Sequence, residues 1–489
     1  MESRVNSDPW TVVAERLGTD LYLDLQPDPT ETARGRGARR RQSLASALRE
    51  AIDDGRLPPG TRVPPYRSLA ADTGLARGTV AAVYQELVAE GWLVARQGSG
   101  TRVADTAQRT TAPRLTPASS SVRSAPRHDF SLGQPNPSLF PRRDWIAATR
   151  RAVTAAPDDA FGPGDPHGHP ALRTSLAAYL SRARGVRTTP DQIVVTTSVK
   201  SALELLSRTV FDTTIAVESH GLPFHRQAVE RGGTAAVPIP IDGGGAVVDA
   251  LPHSVSAVLL TPSHQYPTGI ALSPTRRTAV IEWARTSGRL IVEDDYDGEL
   301  RYDREPVGAL QALGPDAVIY TGSVSKSLSP AVRIAWLVLP PPMVDTVVQA
   351  KGIREPDASV VDQLILADLI DTGAYDRHIR RSRQFYRRRR DVLTARLART
   401  GVDVPGIAAG LHAVIPVPAD IEPLIAAEAA RRDIALVGLS GFRHPDVPQE
   451  SGGIVVGFGT PSASSFTTDV DALLDLLADY LPNRRLRAE

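Results

Sequence analysis

From Asp129 to the C-terminus, short β-branched runs alternate with stretches of helical periodicity, and this alternation limits the fold more than any other feature. The runs cover residues 192–196, 214–217, 257–260, 289–292 and 317–320. Strands linked through helices run parallel, because a helical crossover carries the chain back to the same end of the sheet. The expected architecture is an α/β domain over 129–489 with a mostly parallel central sheet, ending in a smaller α/β lobe from about residue 400.

A different pattern precedes it. Residues 1–40 read as an N-terminal extension, basic over 34–41. Helical spacing starts near Ser43 with Leu44, Ala47, Leu48, Ala51 and Ile52, and stops at Asp54-Gly55. A second helix is expected near 67–73. A third, over 78–90, would present Val80, Val83, Tyr84, Leu87 and Val88 as its apolar face. Trp92-Leu93-Val94 and Thr101-Arg102-Val103 flank Gln97-Gly98-Ser99-Gly100, the pattern of a β-hairpin. Three helices closed by a hairpin make an α+β winged helix-turn-helix over 41–104. Residues 105–128 are rich in Thr, Ala, Pro, Ser and Arg without periodicity and read as a linker.

Charge is nearly balanced over the 489 residues, 56 basic against 55 acidic, so the chain as a whole is no generic polyanion binder. Locally it differs: residues 31–104 hold twelve arginines and seven acidic side chains, a net +5. Such an excess suits double-stranded DNA, since neutralising phosphates releases condensed counterions. The third helix would enter the major groove with Arg77 and Thr79, and Gln85 further along its exposed face. Arg67 on the preceding helix and Arg96 and Arg102 on the wing would meet phosphates. A small helical protein-interaction domain with a solvated basic face would share the bare helix pattern. The absence of cysteine excludes disulfides, Cys-bearing zinc sites and thiol nucleophiles. No run approaches the roughly 20 apolar residues of a membrane helix, and no secretory signal is legible. A soluble cytoplasmic protein without a membrane partner is expected.

Lysine occurs only at Lys200, Lys326 and Lys351, which narrows any chemistry needing an ε-amine. Lys326 follows a strand in "AVIYTGSVSKSLSPAVRIAWLVLP", and "LIVEDDYDGELRYD" ends an earlier strand. An amine can form an imine with an aldehyde cofactor, and a carboxylate on a neighbouring strand can keep a pyridine nitrogen protonated. Asp294 fits that carboxylate and Tyr296 a hydrogen bond to the ring oxygen, which would keep the imine deprotonated. Ser323 and Arg333 bracket Lys326, and Thr197-Ser198-Val199-Lys200 marks a strand turning into a helix whose N–H groups would face an anion. The same acidic run, Glu293 to Glu299, could hold a hard cation or form an acidic loop. His167 and His169 lie in "GDPHGHP", which reads as a turn and not a metal site; no metal is expected.

Two resemblances join these observations. "DGRLPPGTRVPPYRSLAADTGLARGTVAAVYQELVAEGWLVARQGSGTRV" resembles the GntR-type winged helix throughout, departing at Pro65-Tyr66 and Ala76. The motifs "SLGQPNPSLFP", "TPSHQYPTG", "IVEDDYDGE", "SVSKSLSPAVR" and "VVGFG" resemble a fold-type-I pyridoxal-phosphate domain of the class I aminotransferase kind. Together the chain is similar to the MocR/GabR subfamily of bacterial transcription regulators. That resemblance implies a domain-swapped homodimer and pyridoxal 5'-phosphate bound at Lys326 as Schiff-base lysine. It also implies Asp294 at the pyridinium, Tyr296 at the ring oxygen, Ser323 and Arg333 at the phosphate, and His264 and Gln265 near the ring. Ser198, Val199 and Lys200 would complete the phosphate loop.

Three departures bear on function. Ser198, Lys200 and Ser201 stand where the family's loop has glycine and glutamines; Lys200 would either add charge to the phosphate site or point to solvent. Leu222 replaces a ring-stacking aromatic, with Phe224 or His225 as substitutes. In "SGGIVVGFG", Ile454, Val455 and Val456 occupy the place of the aminotransferase arginine that holds a substrate carboxylate, leaving only Arg443 to reach in from a loop. The expected function is therefore a regulator that senses pyridoxal phosphate itself and controls vitamin B6 genes, with the aminotransferase-like domain as its effector module. The rivals are a working aminotransferase, a regulator answering an amino compound that reacts with the cofactor, and a cofactor-free dimerisation scaffold.

Overall fold

A computed structural model describes residues 36–96, 100–105, 126–162, 164–302, 307–354, 358–407 and 409–481. The extension before residue 36, the hairpin tip at 97–99 and the linker over 106–125 lie outside the described residues. The chain divides into two compact units, Met1–Ser124 and Ala125–Glu489.

The first unit is a winged helix. Helices α1 (Arg36–Asp53), α2 (Tyr66–Thr73) and α3 (Arg77–Ala89) close over Leu44, Leu48, Val80, Val83 and Leu87, each at most 1% exposed. Strands β1 (Leu93–Arg96) and β2 (Gly100–Val103) pair antiparallel with Leu93 opposite Val103. Gly74 ends α2 in the left-handed region (φ 65°), which makes the sharp turn into α3 possible without a Cβ clash. The buried Tyr84 hydroxyl donates to the Pro64 carbonyl at 2.8 Å, tying α3 to the entrance of α2. Two expectations need correction. Helix α1 starts at Arg36 and not near Ser43, because apolar spacing marks only the buried part of a helix whose first turns are polar. Val88 is exposed: the buried stripe runs through positions 80, 83, 84 and 87, and residue 88 turns away from it.

The second unit is fold-type-I α/β. Its seven strands are β3 (Ile193–Thr196), β4 (Thr214–Glu218), β5 (Ala235–Ile239), β6 (Ala257–Leu260), β7 (Leu290–Asp294), β8 (Val318–Ser323) and β9 (Ala335–Val338). They lie in the order β3-β9-β8-β7-β6-β4-β5. Only β9 runs antiparallel to its neighbours. The strands are almost wholly apolar, as expected where both faces are covered. Helices α4 (Arg142–Ala155), α5 (Pro170–Arg184), α6 (Val199–Thr209), α7 (Pro223–Arg231), α8 (Pro274–Ser287), α9 (Val344–Arg354) and α10 (Val360–Asp371) follow in chain order, and Lys351 is buried within α9. The long α11 (Ala374–Arg399) leads into the smaller lobe. There β10 (His412–Val417), β11 (Val437–Gly438) and β12 (Gly452–Gly457) form a sheet in the order β10-β12-β11, with α12 (Glu422–Arg431) and α13 (Phe466–Ala478). That lobe also recruits the start of the domain, for His128–Asp129 pairs in parallel with Ile434–Ala435. No helix among the described residues is long and apolar enough to cross a membrane.

Candidate functional site

Strand register brings the distant motifs to one edge. Asp294 pairs with Thr321 across β7 and β8, Ser323 with Ala335 across β8 and β9, and Ala335 with Thr196 across β9 and β3. The C-terminal ends of the parallel strands therefore carry Asp294, Ser323, Thr197 and the residues following each, the usual place for a ligand in an open α/β sheet.

Lys326 lies three residues past β8 in a turn that α11 pins from outside. The Tyr375 hydroxyl donates to Ser327 Oγ at 2.7 Å, and His378 Nε2 donates to the Ser327 carbonyl at 2.6 Å. The amine donates to the Gly133 carbonyl. Gly133 has φ 66°, and a Cβ there would come within 2.8 Å of Lys326 Nζ, so only glycine leaves room. Burial pushes the amine below the usual lysine range, against the pull of the Asp294 and Asp297 carboxylates. A buried amine of lowered pKa is the form of lysine that attacks carbonyls.

Asp294 is 2% exposed and accepts from the Thr321 hydroxyl at 3.3 Å. His225 Nε2 stands 2.8 Å from its second oxygen, yet at an angle that makes no hydrogen bond among the described residues. His225 backs the carboxylate, and Leu222 joins an apolar box with Leu132, Tyr266, Tyr296, Val414, Leu439, Phe442 and Val455. Val455 is thus the β12 residue that faces the site, whereas Ile454 and Val456 belong to the lobe's own core. Arg443 does not reach in. Its guanidinium donates to the Val447 carbonyl in its own loop.

Tyr296 follows Asp294 by two residues and is buried, its hydroxyl 2.8 Å from His264 Nδ1. The same nitrogen is 2.7 Å from Asp297 Oδ2. Gln265, also expected near the ring, has its amide engaged elsewhere. It donates to the His220 carbonyl at 2.7 Å and accepts from the Thr268 hydroxyl at 2.6 Å, holding the loop. On the phosphate side, Ser198 Oγ accepts from the Ser201 N–H, and Ser201 Oγ accepts from the Ser198 N–H in return. The open donors at the start of α6 are therefore the backbone N–H groups of Val199 and Lys200. The Lys200 side chain is exposed, as is Arg333, which sits in the left-handed region (φ 57°) with no ion pair among the described residues. A non-glycine residue held there is strained, a common mark of a functional position.

In the acidic run Glu293, Asp294, Asp295 and Asp297 each turn to a separate partner, so their carboxylates do not converge on one point. Glu293 accepts the N–H groups of Leu310 and Gln311 at 2.7 and 2.8 Å. Asp295 takes a bidentate fork from Arg184 at 2.7 and 2.9 Å. No cluster of three His, Asp or Glu suited to a metal occurs among the described residues. His169 caps α5 instead, accepting from the Ala171 N–H. Sequence reasoning missed the His225–Asp294 and His264–Asp297 pairs; the acidic run itself was the available signal for the second.

On the winged helix, charge is sorted by face. Arg41 and Arg49 of α1 are bound to Glu86 on α3, and Arg49 also to Glu90 just past the end of α3. Arg67, Arg77, Gln85 and Arg96 are exposed, Thr79 is half-buried, and the three arginines make no ion pair among the described residues. Arg102 is exposed too but donates to the Gly60 carbonyl at 2.8 Å, which fixes it along the wing.

Residues 40–103 match the bacterial regulatory proteins of the gntR family, and residues 127–437 match aminotransferase class I and II. The HTH-type pyridoxine biosynthesis transcriptional regulator PdxR of Corynebacterium glutamicum is 34% identical over 452 residues, 90% of this chain and 95% of that protein. The probable rhizopine catabolism regulatory protein MocR of Rhizobium meliloti is 32% identical over 375 residues, 72% of this chain and 76% of that one. The chain belongs to the MocR-type regulators of the GntR family. Among solved structures, a Pyrococcus horikoshii kynurenine aminotransferase superposes with a TM-score of 0.67 at 26% identity, over 75% of this chain and 93% of that one. This MocR-type regulator therefore carries a DNA-binding head and an aminotransferase-like domain.

Proposed function

We propose that this regulator binds pyridoxal 5'-phosphate at Lys326 and reports its occupancy to the DNA-binding head, in control of vitamin B6 genes. The residues fit the group: a buried amine, a carboxylate backed by His225, a phenol and an open helix N-terminus converge on one sheet edge. Lys326 would hold the cofactor covalently. Asp294 would hold a proton on the ring nitrogen and Tyr296 would donate to the ring oxygen. Ser323, Arg333 and the start of α6 would take the phosphate. When bound, the cofactor supplies an aldehyde carbon and an electron-withdrawing ring.

The observation that carries the sensing role is Val455, an aliphatic side chain at the wall where an aminotransferase presents arginine. An amino-acid carboxylate there would forgo a charge-assisted pair of roughly 1.5–3 kcal/mol and its orientation as well. This favours the cofactor itself as signal over a transamination substrate, and PdxR of Corynebacterium glutamicum is named as a regulator of pyridoxine biosynthesis. We also infer a homodimer, so that two heads bind two half-sites; occupancy acts only by favouring one arrangement of the heads over another.

The test is operator binding titrated with pyridoxal phosphate, in the parent and in Lys326→Ala. Cofactor-dependent affinity or footprint in the parent, lost in the variant, is expected. Identical binding with and without cofactor would remove the sensing role, and rapid turnover of amino acids with oxoacids would favour the enzyme.

A further inference from the structure

Three side chains form a closed group beside the Lys326 amine. Asp297 Oδ2 lies 2.7 Å and Tyr296 Oη 2.8 Å from one atom, His264 Nδ1. Asp297 and His264 have side chains only 2% and 3% exposed. The surrounding backbone is cut to admit them. Gly410 has φ 73°, and a Cβ there would stand 2.5 Å from both Asp297 Oδ2 and His264 Cε1. A Cβ on Gly269 (φ 76°) would lie 3.2 Å from His264 Nε2.

Hydrogen-bond inventory decides the proton positions. An ionised carboxylate can only accept, so the 2.7 Å contact places a hydrogen on His264 Nδ1. Tyr296 Oη, facing that same N–H, can then only accept from it. Its own hydrogen then points away from that nitrogen, toward the Asp297 carboxylate or a ligand that competes with it, and burial followed by the Asp297 charge keeps that hydrogen on the phenol by raising its pKa. The other ionisable groups facing this cluster do not replace Asp297. His412 on β10, 5.4 Å from the His264 ring, is pushed down to about 3 by burial and stays neutral. Tyr266, edge-on to Tyr296 at 5.6 Å, is raised by burial and stays neutral too. Tyr302, whose hydroxyl donates to the Gly410 carbonyl, is raised by burial and stays neutral, and Asp294 and Lys326 also face the cluster.

We propose that Asp297 and His264 are a positioning pair: the carboxylate fixes the imidazole tautomer, and the imidazole N–H turns the Tyr296 hydroxyl outward as a donor to the ring oxygen of pyridoxal phosphate. This rests on the reading that the cofactor binds at Lys326. A simple structural pair would not choose the direction of the phenol hydrogen.

The experiment is the pH titration of the visible absorption band of the cofactor-loaded full chain. Tyr296→Phe removes the donor and is expected to move the midpoint upward by about one to two pH units. Asp297→Asn releases the tautomer, lets Nδ1 draw the phenol hydrogen to itself, and should move the midpoint in the same direction. The double variant should titrate like Tyr296→Phe alone. Loss of the Asp297 charge by itself would move the midpoint downward, because a negative group favours the protonated link. A downward or absent shift, or shifts that add in the double variant, would overturn the proposal. If Asp297→Asn does not fold, His264 decides. His264→Gln keeps an N–H beside the phenol and should titrate like the parent, whereas His264→Leu should shift upward; equal behaviour of the two would refute the pair. A parent protein that takes up no coloured cofactor overturns the earlier reading instead.

Discussion

Replacing Arg184 by methionine should expose how firmly the end of β7, which carries Asp294, is held from behind. Arg184, at the end of α5, is 4% exposed in its side chain and Asp295 is 1% exposed. The guanidinium contacts both carboxylate oxygens at 2.7 and 2.9 Å and also reaches Ser263 Oγ at 3.1 Å. Asp295 keeps Tyr320 Oη at 2.9 Å and the Ser263 hydroxyl as further donors. Removing one partner of a buried pair leaves an uncompensated charge and costs about 3–5 kcal/mol, whereas replacing both by apolar groups costs far less. The pH dependence carries the sharper test. In the parent, burial pushes the Asp295 carboxyl up but Arg184 pulls it below the usual value. Its contribution is present above the unfolded carboxyl pKa and is lost as pH falls through the folded one. In Arg184→Met burial, the largest cause, is opposed by the Tyr320 and Ser263 hydrogen bonds without the cation, so the folded pKa rises above the unfolded one and stability falls as pH rises from about 4. Urea unfolding of the variant should match the parent most closely near pH 4 and show the full deficit near pH 7, and Arg184→Met with Asp295→Leu should recover most of it. A deficit that is the same at both pH values would refute the reasoning. Because Asp295 lies between Asp294 and Tyr296, the single variant should also lose cofactor affinity.

Glu218 offers an opposite sign. Burial raises its carboxyl to about 7, against hydrogen bonds from Thr261 and Gln265 that lower it. The group favours the folded state at low pH and withdraws on the order of 3 kcal/mol as pH rises from about 4.5 to 7. Glu218→Gln should therefore gain on the parent in thermal melts as pH rises; a constant difference would contradict this. On the head, Arg67→Ala should lower the slope of log affinity against log salt by roughly 0.9, one phosphate contact, while Arg41→Ala should leave it unchanged because Glu86 already holds that arginine.

The two halves of the chain were legible for different reasons. Helix and strand periodicity records burial along a single element, so the winged helix and five of the seven sheet strands could be read, whereas Ala235–Ile239 and the antiparallel Ala335–Val338 could not. Lys326, Asp294 and Tyr296 could be placed at one edge because each ends or follows a strand, and parallel strands present their ends together. The phenol's neighbours were not. His225 and Asp294 are sixty-nine residues apart, and only the packing of α7 against the sheet makes them a pair. Likewise Ile454, Val455 and Val456 are equivalent as a string. Pairing of β12 with β10 and β11 decides that Val455 alone turns toward Tyr296, since alternation on a strand has two phases and the sheet selects one. Local pattern thus determined the elements and the chemistry at their ends. Tertiary register determined which side chains share a proton or face a ligand, because those distances depend on neighbours that the linear chain does not bring together.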